Sequence, residues 1–260
     1  MKFLLNFVLL NVYDMNERKR ILVLGATSGL GRGLAERYIS EGHIVGIAGR
    51  RENELINIAD NHKNVHYSVL DVMNIDEVIN KLAKLVDDMG GVDLFIHSSG
   101  VGKMNPSLDS QIELLTVDTN VRGWTVIMDW IFNYFKQNGG GQIAAITSIA
   151  GLRGLSPAPS YAASKAYQIH YLDSLRQRAI ALKLPIIITD IRPGFVNTAL
   201  LAHPEKLFWV LNKNQAINAI YHVIEKKKRH QVVTKRWALL APILKCAPEW
   251  IVAKILKRSL

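Results

Sequence analysis

The sequence predicts an α/β fold, a doubly wound parallel sheet with helices on both faces. Three observations predict it. Short apolar runs alternate with longer stretches of helical periodicity from Arg20 to Ile191. No two runs are joined by a hairpin turn, so consecutive strands need crossover helices and lie parallel. The chemically suggestive residues stand just after the apolar runs, and such folds bind ligands outside the carboxyl ends of their strands.

The elements follow in order. Ile21–Leu24 is a short apolar run ending in a glycine-rich turn, the composition of a buried parallel strand. Helical spacing covers Gly29 to Glu41, then Ile44–Ala48 is strand two. A helix of mixed charge spans 51–61, and Val65–Leu70 is strand three. Asn74 is a candidate N-cap for a helix over Ile75–Asp88, and Val92–His97 is strand four. A helix over Asp118–Gln137 stops at Asn138-Gly139-Gly140-Gly141. Gln142–Thr147 is strand five. A long helix over Tyr161–Leu182 ends before Pro185, and Ile186–Ile191 is strand six, closed by Arg192-Pro193-Gly194. Strand seven lies near Gln231–Lys235.

With 260 residues, 49% hydrophobic and 21% charged, the chain can bury one sizeable core. A single cysteine, Cys246, excludes an intrachain disulfide framework and a cysteine-based zinc site, and no metal site is expected. The net charge of +10 is unevenly placed: residues 226–260 carry ten Lys/Arg and one acid, leaving +1 for the rest. A nucleic-acid-binding domain would spread its basic surface over the fold, so no nucleic-acid partner is expected. Residues 1–15 read as an extension or disordered segment, 16–235 as the domain and 236–260 as a basic amphipathic tail. The apolar N-terminal stretch is interrupted by Asn6 and Asn11, which argues against a secretory signal.

Gly25-Ala26-Thr27-Ser28-Gly29-Leu30-Gly31 joins strand one to its helix. Its glycines let the backbone approach a pyrophosphate, and the helix start offers free N–H groups and a positive dipole end. A glycine-rich turn with no ligand would read the same way. Strand two ends at Gly49-Arg50-Arg51, where an acid would bind the ribose hydroxyl of NAD. Two arginines stand there instead and suit a 2′-phosphate, which favours NADP(H) over NAD(H). Asp71, before Val72, reads either as an adenine contact or as a turn acid. Ser148 follows strand five, and Tyr161 and Lys165 lie four apart on one helix face. A lysine ammonium beside a phenol lowers the phenol's pKa toward neutrality, as acid–base catalysis on a carbonyl requires, and Ser148 is placed to hydrogen-bond the same carbonyl.

Taken together, Gly25–Gly31, Asp71-Val72, His97-Ser98-Ser99-Gly100, Asn120, Ser148, Tyr161/Lys165 and Pro193-Gly194 with Thr198 resemble the short-chain dehydrogenase/reductase family over about residues 19–200. The resemblance implies a Rossmann-type fold, a nicotinamide cofactor and reversible hydride transfer between alcohol and carbonyl. It implies that Tyr161 is the general acid/base, that Lys165 binds ribose and tunes Tyr161, and that Ser148 anchors the carbonyl. Asn120 would hold a water in a proton relay through Lys165. Cofactor contacts would fall on Gly25, Thr27, Ser28, Gly29, Leu30, Gly31, Arg50, Arg51, Asp71, Val72, Ser98, Gly100, Asn120, Tyr161, Lys165, Pro193, Gly194, Val196 and Thr198. His97 departs from the family's usual asparagine and reads as a satisfied core histidine.

Residues 195–212 read as an apolar substrate lid, with Leu200, Leu201, Leu207, Phe208, Trp209 and Leu211, and favour a hydrophobic carbonyl substrate. His203 in the lid reads as solvent-facing. Trp124, Ile127, Trp130, Ile131, Ile169 and Leu172 look surplus to one sheet face and point to a homodimer or homotetramer. In the tail, Trp237, Leu240, Leu244, Ala247, Ile251 and Ile255 form an apolar stripe, which either packs on the domain or lies on a membrane surface. Pro242 and Pro248 are expected to break its helix. The chain is expected in the cytoplasm as a reductase. The alternative reading is a non-catalytic cofactor-binding regulatory or membrane-surface protein.

Overall fold

The computed structural model of the protein describes residues 18–60, 62–198 and 209–256. Seven strands form one parallel sheet: β1 Arg20–Leu24, β2 Ile44–Gly49, β3 Val65–Val69, β4 Leu94–His97, β5 Gly141–Ile146, β6 Ile186–Pro193 and β7 His230–Val233. Their spatial order is β3-β2-β1-β4-β5-β6-β7. The order reverses between β1 and β4, where Leu24 stands beside His97. That reversal opens the crevice in which such sheets bind ligands.

The side-chain period of two divides β1 between the two faces of the sheet. Ile21 and Val23 join a core with Leu34 and Tyr38 of α1 (Gly29–Ser40) and Ile220 and Ile224 of α7 (Lys213–Glu225). Leu22 and Leu24 join the opposite core with Leu82 of α3 (Ile75–Asp88), Trp124 and Ile131 of α5 (Trp124–Gln137) and Leu172 of α6 (Pro159–Ala181). Each fully buried Leu or Ile of β1 contributes about 1.5–3 kcal/mol relative to exposure. A short helix α2, Glu52–Ala59, covers the β2–β3 side.

Several elements differ from their sequence-based expectation. The helix expected to start at Asp118 is preceded by α4 (Ser110–Val117), capped by Asp109, whose carboxylate accepts from the Gln111 N–H at 2.9 Å. Its Leu114, Leu115 and Val117 are exposed, so it lacks the buried stripe that periodicity detects. Between α4 and α5 one wide π-type turn spans Asp118–Gly123. Asn74 stands at the N-cap of α3 but makes no side-chain cap bond to it. Pro242 lies inside α8 (Lys235–Cys246) rather than ending it, and the break comes at Pro248, before α9 (Glu249–Leu256).

The apolar surplus expected to pair copies is used inside the subunit. Trp124, Ile127, Ile131, Ile169 and Leu172 are buried, and Trp130 packs against the same core. Among the described residues, no helix is long and apolar enough to cross a membrane, and no group of three or more His, Cys, Asp or Glu could hold a metal. The readings of residues 1–17 and of lid residues Leu200, Leu201, His203, Leu207 and Phe208 fall outside the described residues. So does the side chain of Ile255.

Candidate active site

The glycine turn sits at the strand-order reversal and interlocks with the end of β4. Gly25 has φ +87°, and a Cβ there would lie 2.6 Å from the Ser99 nitrogen. A Cβ on Gly31 would overlap the Gly25 carbonyl and crowd Ser98. The Ser98 N–H donates to the Leu24 carbonyl at 2.8 Å, tying the two strand ends together. These glycines are therefore required by packing as well as by any ligand.

The same turn opens α1. Ser28 is its N-cap residue, yet its side chain makes no cap bond, and the first turn holds no acid. An uncapped helix start free of negative charge suits a phosphate group. Arg51 leans over the turn and donates through Nη2 to Thr27 Oγ1 at 2.8 Å. Arg50, largely exposed, stands 3.8 Å from Asp71. Asp71 Oδ1 also accepts from the Met73 N–H at 3.0 Å, so Asp71 serves its own turn while facing the crevice. Arg50, Asp71, Val72, Gly100 and Thr119 line one concavity beside the switch point. Across the opening, Thr198 lies 3.9 Å from the position of a Gly29 Cβ. Leu30 is half-buried on α1. Pro193 ends β6, Val196 pairs with Leu211, and Gly194 packs against the indole of Trp237. This donor set fits a dinucleotide carrying negative phosphates.

The second half of the site lies on α6 and the ends of β4 and β5. Ser148 Oγ accepts from the Ala150 N–H at 3.1 Å and stands near enough to the Tyr161 phenol to hold its pKa down. Lys165 Nζ lies 5.9 Å from the centre of the Tyr161 ring. Lys165 is buried and donates to the Ile146 carbonyl at 3.2 Å and to Gln168 Oε1 at 2.9 Å. The Gly100 backbone passes close by, since a Cβ there would lie 3.6 Å from Nζ. An ammonium has three donors, so one of them remains for a group in the cleft beside Gly100.

The electrostatics differ from the sequence-based expectation. Burial lowers Lys165 to about 8, with the charge of Asp190 opposing. Burial raises Tyr161 above its ordinary value, and the neighbouring Ser148 only partly offsets this. Lys165, 5.9 Å from the ring centre, does not outweigh that burial.

Asn120 and His97 sit beside this pair, and the reading of His97 is corrected. Asn120 is fully buried, and its Oδ1 accepts from the Val101 N–H at 2.9 Å. Its Nδ2 donates to Ser164 Oγ at 3.1 Å and to the Val101 carbonyl at 2.7 Å. Its backbone carbonyl accepts from Gln168 Nε2 at 2.8 Å. His97 is not a satisfied core histidine: it is 2% exposed and its Nε2 has no hydrogen-bond partner. Burial and the nearby Lys165 charge lower its pKa to about 3, so it is neutral.

Sequence reasoning missed Gln168 and Gly102. Gln168 stands one helical turn after Lys165, and a polar residue there on a buried face was the available signal. A Cβ on Gly102 would lie 2.6 Å from the Tyr161 ring, a requirement that only the folded contact reveals.

Comparison with known proteins bears on the family and the fold. The family model for short chain dehydrogenases matches residues 19–206. An uncharacterized oxidoreductase of Myxococcus xanthus is 34% identical over 70% of this chain and 73% of its own length. An NADP-dependent 3-hydroxy acid dehydrogenase of Escherichia coli is 30% identical over 68% of this chain and 72% of its own. A short chain dehydrogenase from Burkholderia cenocepacia, solved in complex with NADP, superposes with a TM-score of 0.77 at 21% identity, covering 92% of this chain and 98% of that one.

Proposed function

The chain belongs to the short-chain dehydrogenase/reductase family, NAD(P)-linked oxidoreductases acting on CH–OH groups, and from that premise we propose that it is an NADP(H)-dependent reductase of a hydrophobic carbonyl compound. The observation that carries the reading is the convergence of Ser148, Tyr161 and Lys165 beside an uncapped, acid-free helix start flanked by Arg51. The nicotinamide, when bound, supplies the hydride to the carbonyl carbon. Ser148 holds the carbonyl oxygen by a hydrogen bond, and Tyr161 Oη gives that oxygen its proton, yielding the alcohol. The third donor of Lys165 takes a ribose hydroxyl, and its charge stabilises the phenolate left on Tyr161. Arg51 and Arg50 meet the 2′-phosphate by charge-assisted hydrogen bonds. The apolar composition of 195–212 favours a hydrophobic substrate. The test is direct: titrate NADPH and NADH, then follow NADPH oxidation across aldehydes, ketones and quinones. Equal cofactor affinities defeat the NADP preference, and no oxidation by any carbonyl defeats the reductase reading.

A second reading concerns the tail and leaves the first intact. Of the stripe read from the sequence, Trp237 is buried against Gly194, with its ring 5.3 Å from that of Phe195, and Leu240, Leu244, Ala247 and Ile251 are half-buried. A different face, Leu239, Ile243 and Trp250, is exposed, and Lys235, Arg236, Lys245 and Lys254 are exposed beside it. Apolar side chains among cations suit an anionic bilayer surface. Co-sedimentation with anionic but not neutral vesicles, lost in high salt and in Ile243→Ser/Trp250→Ser, supports this reading. No sedimentation at low salt defeats it.

A further inference from the structure

We propose that Gln168 is a positioning residue for the catalytic lysine, its carboxamide bridging Lys165 Nζ and the Asn120 carbonyl and thereby holding the ammonium at the cleft. The inference deepens the reductase reading, and its catalytic consequence rests on that reading.

Three observations build it. First, the carbonyl of Asn120 is released from its own helix. In a regular helix the Trp124 N–H would take it, but across the wide turn at Asp118–Gly123 that N–H goes to Val121 instead. Second, Gln168 meets both ends with the donor and acceptor its amide offers. Nε2 donates to the Asn120 carbonyl at 2.8 Å, and Oε1 accepts from Lys165 at 2.9 Å. Third, the side chain is 1% exposed and Lys165 4%, so neither has bulk water as an alternative partner. A buried ammonium without acceptors would shed its proton or pull away.

The surroundings sharpen the requirement. Lys165 faces neutral His97 from β4, Tyr161 on its own helix and the charge of Asp190 from β6. Asp190 is already engaged by Thr147 at 2.6 Å and by Arg192 at 2.6 Å. Besides the Ile146 carbonyl, Gln168 Oε1 is thus the acceptor the fold supplies directly to Nζ. A carboxamide neither gives nor takes a proton near neutrality, so this bridge fixes the lysine and carries no proton toward Asn120.

The test uses the full-length protein without cofactor. Lysine 13Cε resonances are titrated by NMR, with Lys165 assigned by its absence in Lys165→Arg. Gln168→Leu should lower the Lys165 midpoint by about one pH unit, and Gln168→Glu, which adds a carboxylate, should raise it by about one. A merely space-filling Gln168 would give a Leu variant matching wild type, and that result overturns the proposal. If the Leu variant does not fold, Gln168→Met, which keeps the volume without the acceptor, decides: a downward shift supports the proposal, no shift overturns it. NADPH binding, followed by fluorescence in the same samples, separates this from the function itself. Absent binding in wild type would sink the NADP(H) reading while leaving the titration result standing.

Discussion

The two halves of the site are built from different material. The glycine turn at Gly25–Gly31 is made of backbone, and its constraints are steric: side chains at Gly25 or Gly31 would strike Ser99 or Gly25 itself. The α6 half is made of buried polar side chains, and its constraints are electrostatic. Asn120, Ser148, Lys165 and Gln168 are all buried and hydrogen-bonded, while His97 beside them lacks a partner on Nε2. The first half tolerates no added volume. The second tolerates few changes in hydrogen bonding or charge, because each buried polar group depends on the next.

The largest break in that contrast is Tyr161→Phe. It should reduce turnover by ~10²–10⁴-fold, as expected for a lost acid/base, while leaving NADPH affinity within a few-fold. A variant retaining a tenth of wild-type activity would falsify the assignment. Gly31→Ala attacks the other half by volume alone. It should cost about 3 kcal/mol of stability in urea unfolding and weaken cofactor binding, because a backbone carbonyl must move. A variant as stable as wild type would show that the turn is looser than its packing.

Arg51→Ala tests charge within the backbone-built half. Removing a charge-assisted contact should cost roughly 1.5–3 kcal/mol of NADPH binding, tenfold or more, and leave NADH unchanged. Equal losses for both cofactors would mean that Arg51 only braces Thr27.

The smallest effect appears only with pH, in the electrostatic half. His97 is lowered to about 3 in the folded protein, against about 6.5 in an unfolded chain. Between those values the unfolded state binds the extra proton, so stability is lost as pH falls from 6.5 toward 3. From pH 7 to pH 5 this group should remove about 2 kcal/mol. His97→Leu should lack that part of the slope in urea melts at the two pH values. Identical slopes would place His97 in contact with water or a proton partner.

Legibility follows the same division. Strands were readable because β1, β2 and β4 are buried on both faces and so appear as apolar runs. The start of α4 was not, since its Leu114, Leu115 and Val117 face outward and give no buried stripe. The glycine turn could be located from its composition, and Tyr161 with Lys165 from their helical spacing. Gln168 stood in plain sight one turn later, but a glutamine on a helix has no chemistry of its own to flag it. The residues offered as an oligomer surface meet a related limit. Trp124 and Ile131 are apolar in any context, and composition does not say whether a sheet or a second subunit covers them.

By itself, the sequence determined the parallel doubly wound sheet and the place of the crevice, because periodicity and local spacing encode both, and it pointed to residues proposed to exchange a proton with a carbonyl. Only the tertiary structure decided the state of those residues. Burial lowers Lys165, raises Tyr161 and strips His97 of its charge. The wide turn at Asp118–Gly123 turns the Asn120 carbonyl toward Gln168 rather than along its own helix. Desolvation and hydrogen-bond pairing depend on which segments meet across the core, and no local pattern in the chain carries that information.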